Sequence, residues 1–155
     1  MYQPGFAVYI TLAMHPIMKI EFNSNIETVN WQRASELFSL VGWGIRKPEE
    51  IQSAFEKSSY IRFAYLNNVL VGFGRTVDDG RYYALIVDLV IDPEFQSKGI
   101  GSNILIYLKN SLEGYAFTTL TSAVGKEAFY EKQGWKKQIT SFIWPRSEKQ
   151  DKENT

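Results

Sequence analysis

Apolar residues recur every three or four positions in two segments of the N-terminal part of the chain, as is typical of amphipathic helices. Asn30 is a favourable N-cap residue, and the apolar positions after it are Trp31, Ala34, Leu37, Phe38 and Val41. Gly42 and Gly44 end this run. Pro48 suits the start of a second helix, whose apolar face consists of Ile51, Ala54 and Phe55. The pattern predicts two consecutive helices.

Segments rich in β-branched and aromatic residues flank these helices. Residues 17–22 alternate in part, which predicts a first strand. The stretch 60–76 predicts a hairpin, because the turn dipeptide Asn67-Asn68 divides it into two β-rich runs. Asp79-Gly80 predicts a second hairpin, which leads into residues 82–91. Because that last run is almost continuously apolar, we expect a central strand that is buried on both faces.

The second half of the chain alternates helices and strands. After Pro93, a run of apolar residues predicts a helix that ends near Gly114. Residues 117–120 predict a strand, and a short helix closed by Gly134 follows. Residues 135–144 predict a last strand or hairpin. Hairpins followed by strand–helix crossovers predict an α/β (α+β) fold, a mixed and mostly antiparallel sheet with helices on both faces.

The two ends of the chain differ from this pattern. Residues 1–16 are apolar but interrupted by proline and glycine, and they lack the basic start of a signal peptide. We interpret them as an extension before a single domain at residues 17–145, followed by a charged, flexible tail at residues 146–155. Because no other long apolar run occurs, the sequence predicts a cytoplasmic protein without a membrane partner.

The amino-acid composition excludes several kinds of catalytic and metal site. The chain has no cysteine and one histidine, His15, so thiolate chemistry and histidine-rich metal sites are excluded, and no metal is expected. A Ser–His–Asp hydrolase would need His15 as its base, and no nucleophile elbow accompanies it. Seventeen basic residues balance seventeen acidic residues, which gives no reason to expect a nucleic-acid partner.

A glycine-containing segment separates the apolar strand from the helix after it. Gly99 and Gly101 let a ligand approach the backbone closely, and the N–H groups of a helix's first turn favour anions. Lys98 adds a positive charge. Two glycines alone fit a structural turn as well as a phosphate site, and the segment is neither a Walker loop nor a three-glycine dinucleotide fingerprint.

The context of this segment is more specific. Residues 89–101 closely resemble the acetyl-CoA signature of the GNAT (Gcn5-related N-acetyltransferase) superfamily, Gln/Arg-x-x-Gly-x-Gly/Ala after a strand and an Asp-Pro-like turn. Residues 128–135 resemble its second landmark, commonly Phe-Tyr-x-x-x-Gly-Phe. The element order over roughly residues 17–144 also matches the GNAT fold. Residues 87–93 and 142–145 resemble the serotonin N-acetyltransferase-like branch of plants and bacteria.

The resemblance implies an acetyl-CoA-dependent N-acetyltransferase and assigns residues to the donor. Backbone groups of Leu89, Val90 and Ile91 would pair with the pantetheine arm, and an amide at Val90 or Ile91 would polarise the thioester carbonyl. The pyrophosphate would lie on the amides of the glycine segment, and Ser102 would open the following helix. The residues of that segment are Gln96, Ser97, Lys98, Gly99, Ile100 and Gly101.

Two residues are candidates for proton transfer. Tyr130 matches the family tyrosine that protonates the departing thiolate, although it also fits a core tyrosine on an amphipathic helix. Asp88 is the carboxylate inside the apolar strand; desolvated there it could act as a base, or it could bond a neighbouring loop. Many relatives instead carry Glu at the position of Val87, and adjacent strand residues face opposite sides. Another family position, an Asn that contacts pantetheine, is Ala123 here.

The sequence does not identify the acceptor of the acetyl group. The early helices and hairpins would enclose a primary amine, with candidate aromatic walls at Trp31, Phe38, Trp43, Tyr60, Tyr82 and Tyr83. The leading hypothesis is a small-molecule amine that attacks the thioester directly. The alternatives are acetylation of a protein N-terminus or lysine, and a non-catalytic CoA-binding module that regulates a partner. Extended edge strands also make a homodimer possible.

Overall fold

The computed structural model describes residues 19–154, which form one five-stranded sheet and five α-helices. A short 3₁₀ turn, Pro93–Phe95, follows the fourth strand. The predicted N-terminal extension and the first two residues of the predicted first strand lie outside the described residues. The elements in chain order are β1 (Ile20–Asn23), α1 (Trp31–Leu40), α2 (Pro48–Glu56), β2 (Ile61–Leu66), β3 (Val69–Asp78), β4 (Tyr83–Ile91), α3 (Ile100–Ser111), β5 (Phe117–Leu120), α4 (Glu127–Lys132) and α5 (Glu148–Asn154).

The strands lie in the sheet in the order in which they occur in the chain. Neighbours from β1 to β4 are antiparallel, and β4 and β5 are parallel because the crossover between them contains helix α3. Helices α1 and α2 pack on one face of the sheet, over a core that includes Phe63 and Phe73. Helix α3 packs on the other face against Val71 and Ile86. The predicted mixed sheet with helices on both faces is therefore confirmed.

Local sequence signals explain where several elements begin. The Asn30 side chain accepts a hydrogen bond of 2.9 Å from the Arg33 amide, which caps α1 as predicted. Pro48 is the first residue of α2. Asn67 and Asn68 have φ values of 49° and 64°, the left-handed conformation that a tight hairpin turn requires. These three predictions are confirmed.

Gly74 in β3 allows α3 to lie close to the sheet. A Cβ added to Gly74 would lie 2.9 Å from Cγ2 of Ile104 and 3.0 Å from Cδ1 of Leu108, both on α3. Gly72 instead leaves room for a side chain of β4, since a Cβ added there would lie 2.7 Å from Cδ1 of Ile91. The absence of a side chain at Gly74 therefore allows the short distance between α3 and the sheet.

The prediction that β4 is central and buried on both faces is wrong. The central strand is β3, and β4 lies next to the edge strand β5. In the first half of β4, Tyr83 is 63% exposed and Leu85 is 38% exposed. The reason is the limited length of the helical layer: the core beneath α1 and α2 includes Val90 but does not extend to the start of β4.

The C-terminal part of the chain also differs from the prediction. Residues 135–144 form no strand, because no strand of residues 19–154 pairs with them. The flexibility of the charged tail stays a prediction; its described residues include α5, which is exposed throughout, and the Ser147 hydroxyl caps this helix by accepting a hydrogen bond from the Gln150 amide. None of the helices in the described part of the chain is long and apolar enough to cross a membrane.

Candidate active site

The middle of β4 contains a β-bulge. Asp88 has a φ of +51°, and the pairing with β3 shifts between Phe73–Val90 and Arg75–Val87. Cross-strand partners share a face of the sheet, so Val87 faces the same side as Arg75, whose guanidinium lies over the Phe55 ring of α2. The Asp88 carboxylate bonds Arg75 on this same side. The expectation that positions 87 and 88 face opposite sides is therefore wrong, because the bulge interrupts the alternation.

Asp88 is held by two arginines, and one of them, Arg46, lies in the loop between α1 and α2, as in the alternative that Asp88 bonds a neighbouring loop. Its Oδ2 accepts a hydrogen bond of 2.7 Å from Nε of Arg75, and its Oδ1 accepts one of 3.0 Å from Nη1 of Arg46. The side chains of Asp88 and Arg75 are 10% and 16% exposed, whereas Arg46 is 41% exposed. The carboxylate thus has one buried partner and one partner at the surface.

The strands β4 and β5 separate two residues before this bulge. Their pairing ends at Ile86 and Leu120, so none of the described strands lines the edge of β4 over residues 89–91. The Asp92 amide donates to the Val71 carbonyl of β3. Because amides along a strand point alternately to its two sides, the N–H of Val90 faces β3, and the N–H of Ile91 faces the open edge. Of the two predicted donors to a thioester carbonyl, the geometry favours Ile91.

The glycine segment presents a row of unpaired amides. Within residues 19–154, the N–H groups of residues 99–102, at the start of α3, donate no hydrogen bond to the protein. Ser97 and Gly99 have φ values of 61° and 80°, so the backbone turns twice before α3. Helix α3 begins at Ile100, two residues earlier than the predicted start at Ser102. Free amides at the start of a twelve-residue helix are suited to bind an anion.

Two side chains connect this loop to its surroundings. Nε2 of Gln96 donates to the Ile91 carbonyl at 3.1 Å, which holds the loop beside the open edge of β4. The Lys98 ammonium donates to the Glu94 carbonyl at 2.8 Å and lies over the Phe95 ring. The charge of Lys98 is therefore directed back along the chain rather than to the free amides.

A buried ion pair holds the turn that precedes the loop. Arg33 of α1 bonds Oδ2 of Asp92, whose side chain is 6% exposed. The other oxygen of Asp92 accepts the Glu94 amide at 3.0 Å. Sequence reasoning missed Arg33, Arg46 and Arg75, and a signal existed for Arg75 alone, as a charged residue within an apolar strand.

Helix α4 brings the second landmark to this region. A Cβ added to Gly101 would contact Ile91 and the Phe129 ring, each at 3.5 Å, so the loop, β4 and α4 meet there. Nε2 of Gln133 donates to the Ser102 hydroxyl at 2.7 Å and connects α4 to α3. Tyr130 stands next to Phe129, and burial raises the pKa of its phenol above the ordinary value. Its hydroxyl makes no hydrogen bond within the described chain.

A cleft of about 80 Å³ lies on the α1–α2 side of the sheet. It brings Asp88 to the surface beside the Arg46 guanidinium, which stacks over the Phe38 ring at 4.0 Å.

Of the expected aromatic walls, Phe38 lines the cleft, Trp31 packs against Phe55, and Trp43 packs against Phe38. Tyr60 packs in the core on the α3 side, and Tyr82 and Tyr83 are exposed. The lining residues are Phe38, Arg46, Glu50, Ile51, Ala54, Phe55 and Asp88.

The site has no arrangement typical of a metal centre. No group of three or more His, Cys, Asp or Glu side chains lies close enough to hold a metal ion within residues 19–154.

A strand edge that opens beside a loop of free amides is suited to bind an extended ligand with an anionic group, and comparison with known proteins identifies the family. The model of the acetyltransferase (GNAT) domain matches residues 43–143. The chain is 32% identical over 127 residues to an uncharacterized N-acetyltransferase, ycf52, of Pyropia yezoensis, covering 76% of this chain and 73% of that protein. The chain therefore belongs to the GNAT family of N-acetyltransferases, enzymes that act on amino groups.

Two further similarities agree with this placement. A chloroplastic GCN5-related N-acetyltransferase 1 of Arabidopsis thaliana is 29% identical over 89 residues, which cover 56% of this chain and 45% of that protein. A protein of Staphylococcus aureus described as a probable acetyltransferase has the same fold, with a TM-score of 0.74 at 17% identity. That superposition covers 83% of this chain and all of the other chain.

The ion pairs of Asp88 predict a measurable cost of substitution. Asp88→Ala leaves the Arg75 guanidinium without a carboxylate and should lower the free energy of unfolding by roughly 3 kcal/mol. Asp88→Asn removes the same charge, but Asn tolerates a positive φ, so its loss should be smaller by about 1 kcal/mol. Urea denaturation followed by tryptophan fluorescence measures both values.

The control for these variants is Glu21→Ala, which breaks an exposed ion pair with Lys19 and should change stability little. Equal stability of the Asp88→Ala and Asp88→Asn proteins would show that the bulge does not depend on the residue's tolerance of positive φ.

Proposed function

We propose that this enzyme transfers the acetyl group of acetyl-CoA to the primary amine of a small molecule by direct attack of the amine on the thioester. The observation that supports this most is the set of unpaired amides over residues 99–102, which lie beside the open edge of β4, where Gly101 comes close to Ile91. A site for a diphosphate and a site for an extended, amide-containing arm are thereby adjacent. These are the two recognisable parts of coenzyme A.

Different residues would bind different parts of the donor. Acetyl-CoA supplies an activated acetyl thioester when it is bound. The amides of residues 96–102 would bind the pyrophosphate, with Gly99 permitting the turn that aligns them. The outward-facing backbone groups of Leu89 and Ile91 would pair with the pantetheine amides, as an added strand does. Val90 would support this edge from the core, where it is 1% exposed.

Three residues would serve the transfer itself. The N–H of Ile91 would stabilise the negative charge that develops on the thioester oxygen. The Tyr130 phenol would donate a proton to the departing thiolate, and its raised pKa keeps it in the protonated form that donation requires. The Asp88 carboxylate would accept a hydrogen bond from the ammonium group of the acceptor. Each carboxylate oxygen can accept more than one hydrogen bond, and each has one arginine partner here.

The cleft beside Asp88 supports a small acceptor. Its volume of about 80 Å³ fits the amine-bearing end of a molecule, and Glu50 adds a second carboxylate that would attract an ammonium. The cytoplasmic location predicted from the sequence remains a proposal.

Release of free CoA in a panel of amines tests the proposed function. Aliphatic and aromatic monoamines, amino acids, and peptides with a free N-terminus or a lysine would be compared at one concentration. Turnover of small amines is expected. Turnover of peptides alone would replace the small-molecule acceptor by a protein, and acetyl-CoA binding without turnover of any amine would indicate a binding module.

The glycine loop predicts the site of donor binding. Gly99→Ala should weaken acetyl-CoA binding about tenfold, since alanine disfavours a φ of 80° by about 1–2 kcal/mol. Isothermal titration calorimetry measures the affinity. Gly80→Ala is the control, because Gly80 has a φ of 78° and equally open surroundings but lies in the β3–β4 turn. Equal affinity in both variants would remove the loop from the donor site.

Tyr130→Phe should reduce turnover by a factor of roughly 100 or more while acetyl-CoA binding is retained. Because burial raises the pKa of its phenol above the ordinary value, Tyr130 should stay protonated and cause no loss of rate at neutral and mildly alkaline pH. The matched control is Tyr115→Phe, which removes a phenol that hydrogen-bonds Asp78 at 2.6 Å, at the other end of β3. Unchanged turnover of Tyr130→Phe would exclude this residue as the acid.

Asp88→Asn tests the fate of the amine's proton. If Asp88 accepts that proton, the substitution should lower kcat/KM and remove the acid limb of its pH profile. The profile would be compared with that of Glu50→Gln, which changes a carboxylate in the same cleft. An unaltered pH profile in Asp88→Asn would assign deprotonation to water.

A further inference from the structure

The buried part of the cleft beside Asp88 has more positive than negative charge. The Asp88 side chain is 10% exposed, and its carboxylate bonds the guanidinium groups of Arg75 and Arg46. One arginine balances the charge of Asp88, so one positive charge is in excess. Because Arg75 is 16% exposed and Arg46 is 41% exposed, the excess charge lies with Arg46, where the cleft opens to solvent.

The second carboxylate of the cleft, Glu50, has a cation of its own. Its Oε1 lies 3.7 Å from Nζ of Lys47, and the two side chains are 66% and 70% exposed. These opposite charges offset each other in a region where water screens them. An acceptor that carries an ammonium alone would therefore add a cation to a cleft that already has an excess of positive charge.

Arg46 is fixed in position and has free hydrogen-bond donors. Its carbonyl accepts a hydrogen bond from the Ser35 hydroxyl, and its guanidinium stacks over the Phe38 ring at 4.0 Å. Within residues 19–154 this guanidinium donates one hydrogen bond, from Nη1 to Asp88. A guanidinium has five N–H groups in one plane, and a pair of them matches the two oxygens of a carboxylate. Arg46 is therefore suited to bind an anionic group of a ligand.

The contact between Arg46 and Asp88 limits how far apart two groups of the acceptor can be. Nη1 of Arg46 lies 3.0 Å from Oδ1 of Asp88, which would bind the ammonium. An anionic group on Arg46 must then lie close to the reacting amine, as the carboxylate of an α-amino acid does. Ile51, Ala54 and Phe55 form an apolar wall of the same cleft, which suits an aliphatic side chain.

We infer that the acceptor is a free α-amino acid with an aliphatic side chain, whose ammonium binds Asp88 and whose carboxylate binds Arg46. This inference rests on the proposed function, because it names the substrate class of the same site. A monoamine, a peptide N-terminus and the side-chain amine of lysine all lack a carboxylate next to the reacting nitrogen. The charge of Arg46 therefore selects against these acceptors.

The reaction yields an N-acetylated amino acid and free CoA. The ammonium gives one proton to solvent, and its nitrogen then forms a bond to the acetyl carbon of the thioester. The carbon–sulfur bond breaks, and the thiolate takes a proton from Tyr130. The second proton that the nitrogen releases restores the phenol.

Three matched compounds test the acceptor class. Leucine, leucinamide and 3-methylbutylamine share a side chain and a primary amine, and leucine alone has a carboxylate. The kcat/KM for leucine, measured by release of free CoA, should be at least about tenfold above that for either analogue. Because a negative carboxylate raises the pKa of a neighbouring amine, easier loss of a proton cannot explain a preference for leucine over leucinamide.

Substitution of Arg46 tests the residue. In Arg46→Gln, the ratio of kcat/KM for leucine to that for 3-methylbutylamine should fall at least about tenfold, whereas a purely structural role would lower both values alike. Arg46→Lys keeps a cation beside Asp88 but loses the paired N–H groups, so its ratio should be intermediate. Arg81→Gln is the control, because Arg81 lies over the Tyr82 ring at 5.7 Å, outside the cleft. Circular dichroism confirms that each variant is folded.

The outcomes separate this inference from the proposed function. Equal or faster acetylation of 3-methylbutylamine, or a preference for leucine that Arg46→Gln leaves unchanged, would overturn the acceptor class and leave the proposed function intact. If leucine does not react while other amines do, the class is overturned in the same way. A lack of turnover with every amine, while acetyl-CoA still binds, would instead remove the proposed function itself.

Discussion

The site depends on the carboxylate of Asp88, buried within a strand and bonded to two guanidinium groups. A charged side chain in this position is stable only with its partners, and Arg75 and Arg46 provide them from β3 and from the loop between the first two helices. These bonds hold Asp88 in a positive-φ conformation and so maintain the bulge in β4. The strands β4 and β5 separate just before that bulge, which leaves the edge of β4 over residues 89–91 open for the proposed donor site.

Much of the fold could be predicted from the sequence because its signals are local. Asn30, Pro48 and the Asn67-Asn68 turn act within a few residues of themselves, and the structure has a helix start or a hairpin at each. The glycine loop could be found for the same reason, since its pattern occupies consecutive positions before a helix. The exposure of the first half of β4 depends instead on how far α1 and α2 extend over the sheet, which no local pattern encodes.

The surroundings of the candidate site were beyond sequence reasoning for a related physical reason. Asp88 could be recognised as a carboxylate in an apolar strand, but Arg46 is 42 residues away along the chain and joins it through the packing of a loop. The bulge interrupts the alternation of side chains along β4. A prediction based on strict alternation therefore places Asp88 on the wrong face of the sheet. Residues 135–144 have the composition of a strand, whereas a strand forms only where a neighbouring edge receives its hydrogen bonds.

The ion pair between Arg33 and Asp92 has a mechanical consequence. Arg33 belongs to the helical layer over the acceptor cleft, and Asp92 holds the turn from which the glycine loop begins. Arg33 also donates to the Leu70 carbonyl of β3. Its side chain therefore connects α1 to β3 and to the turn at Asp92. One side chain thus connects the first helix to the turn before the glycine loop, so we expect a displacement of that helix to move the turn and the loop with it.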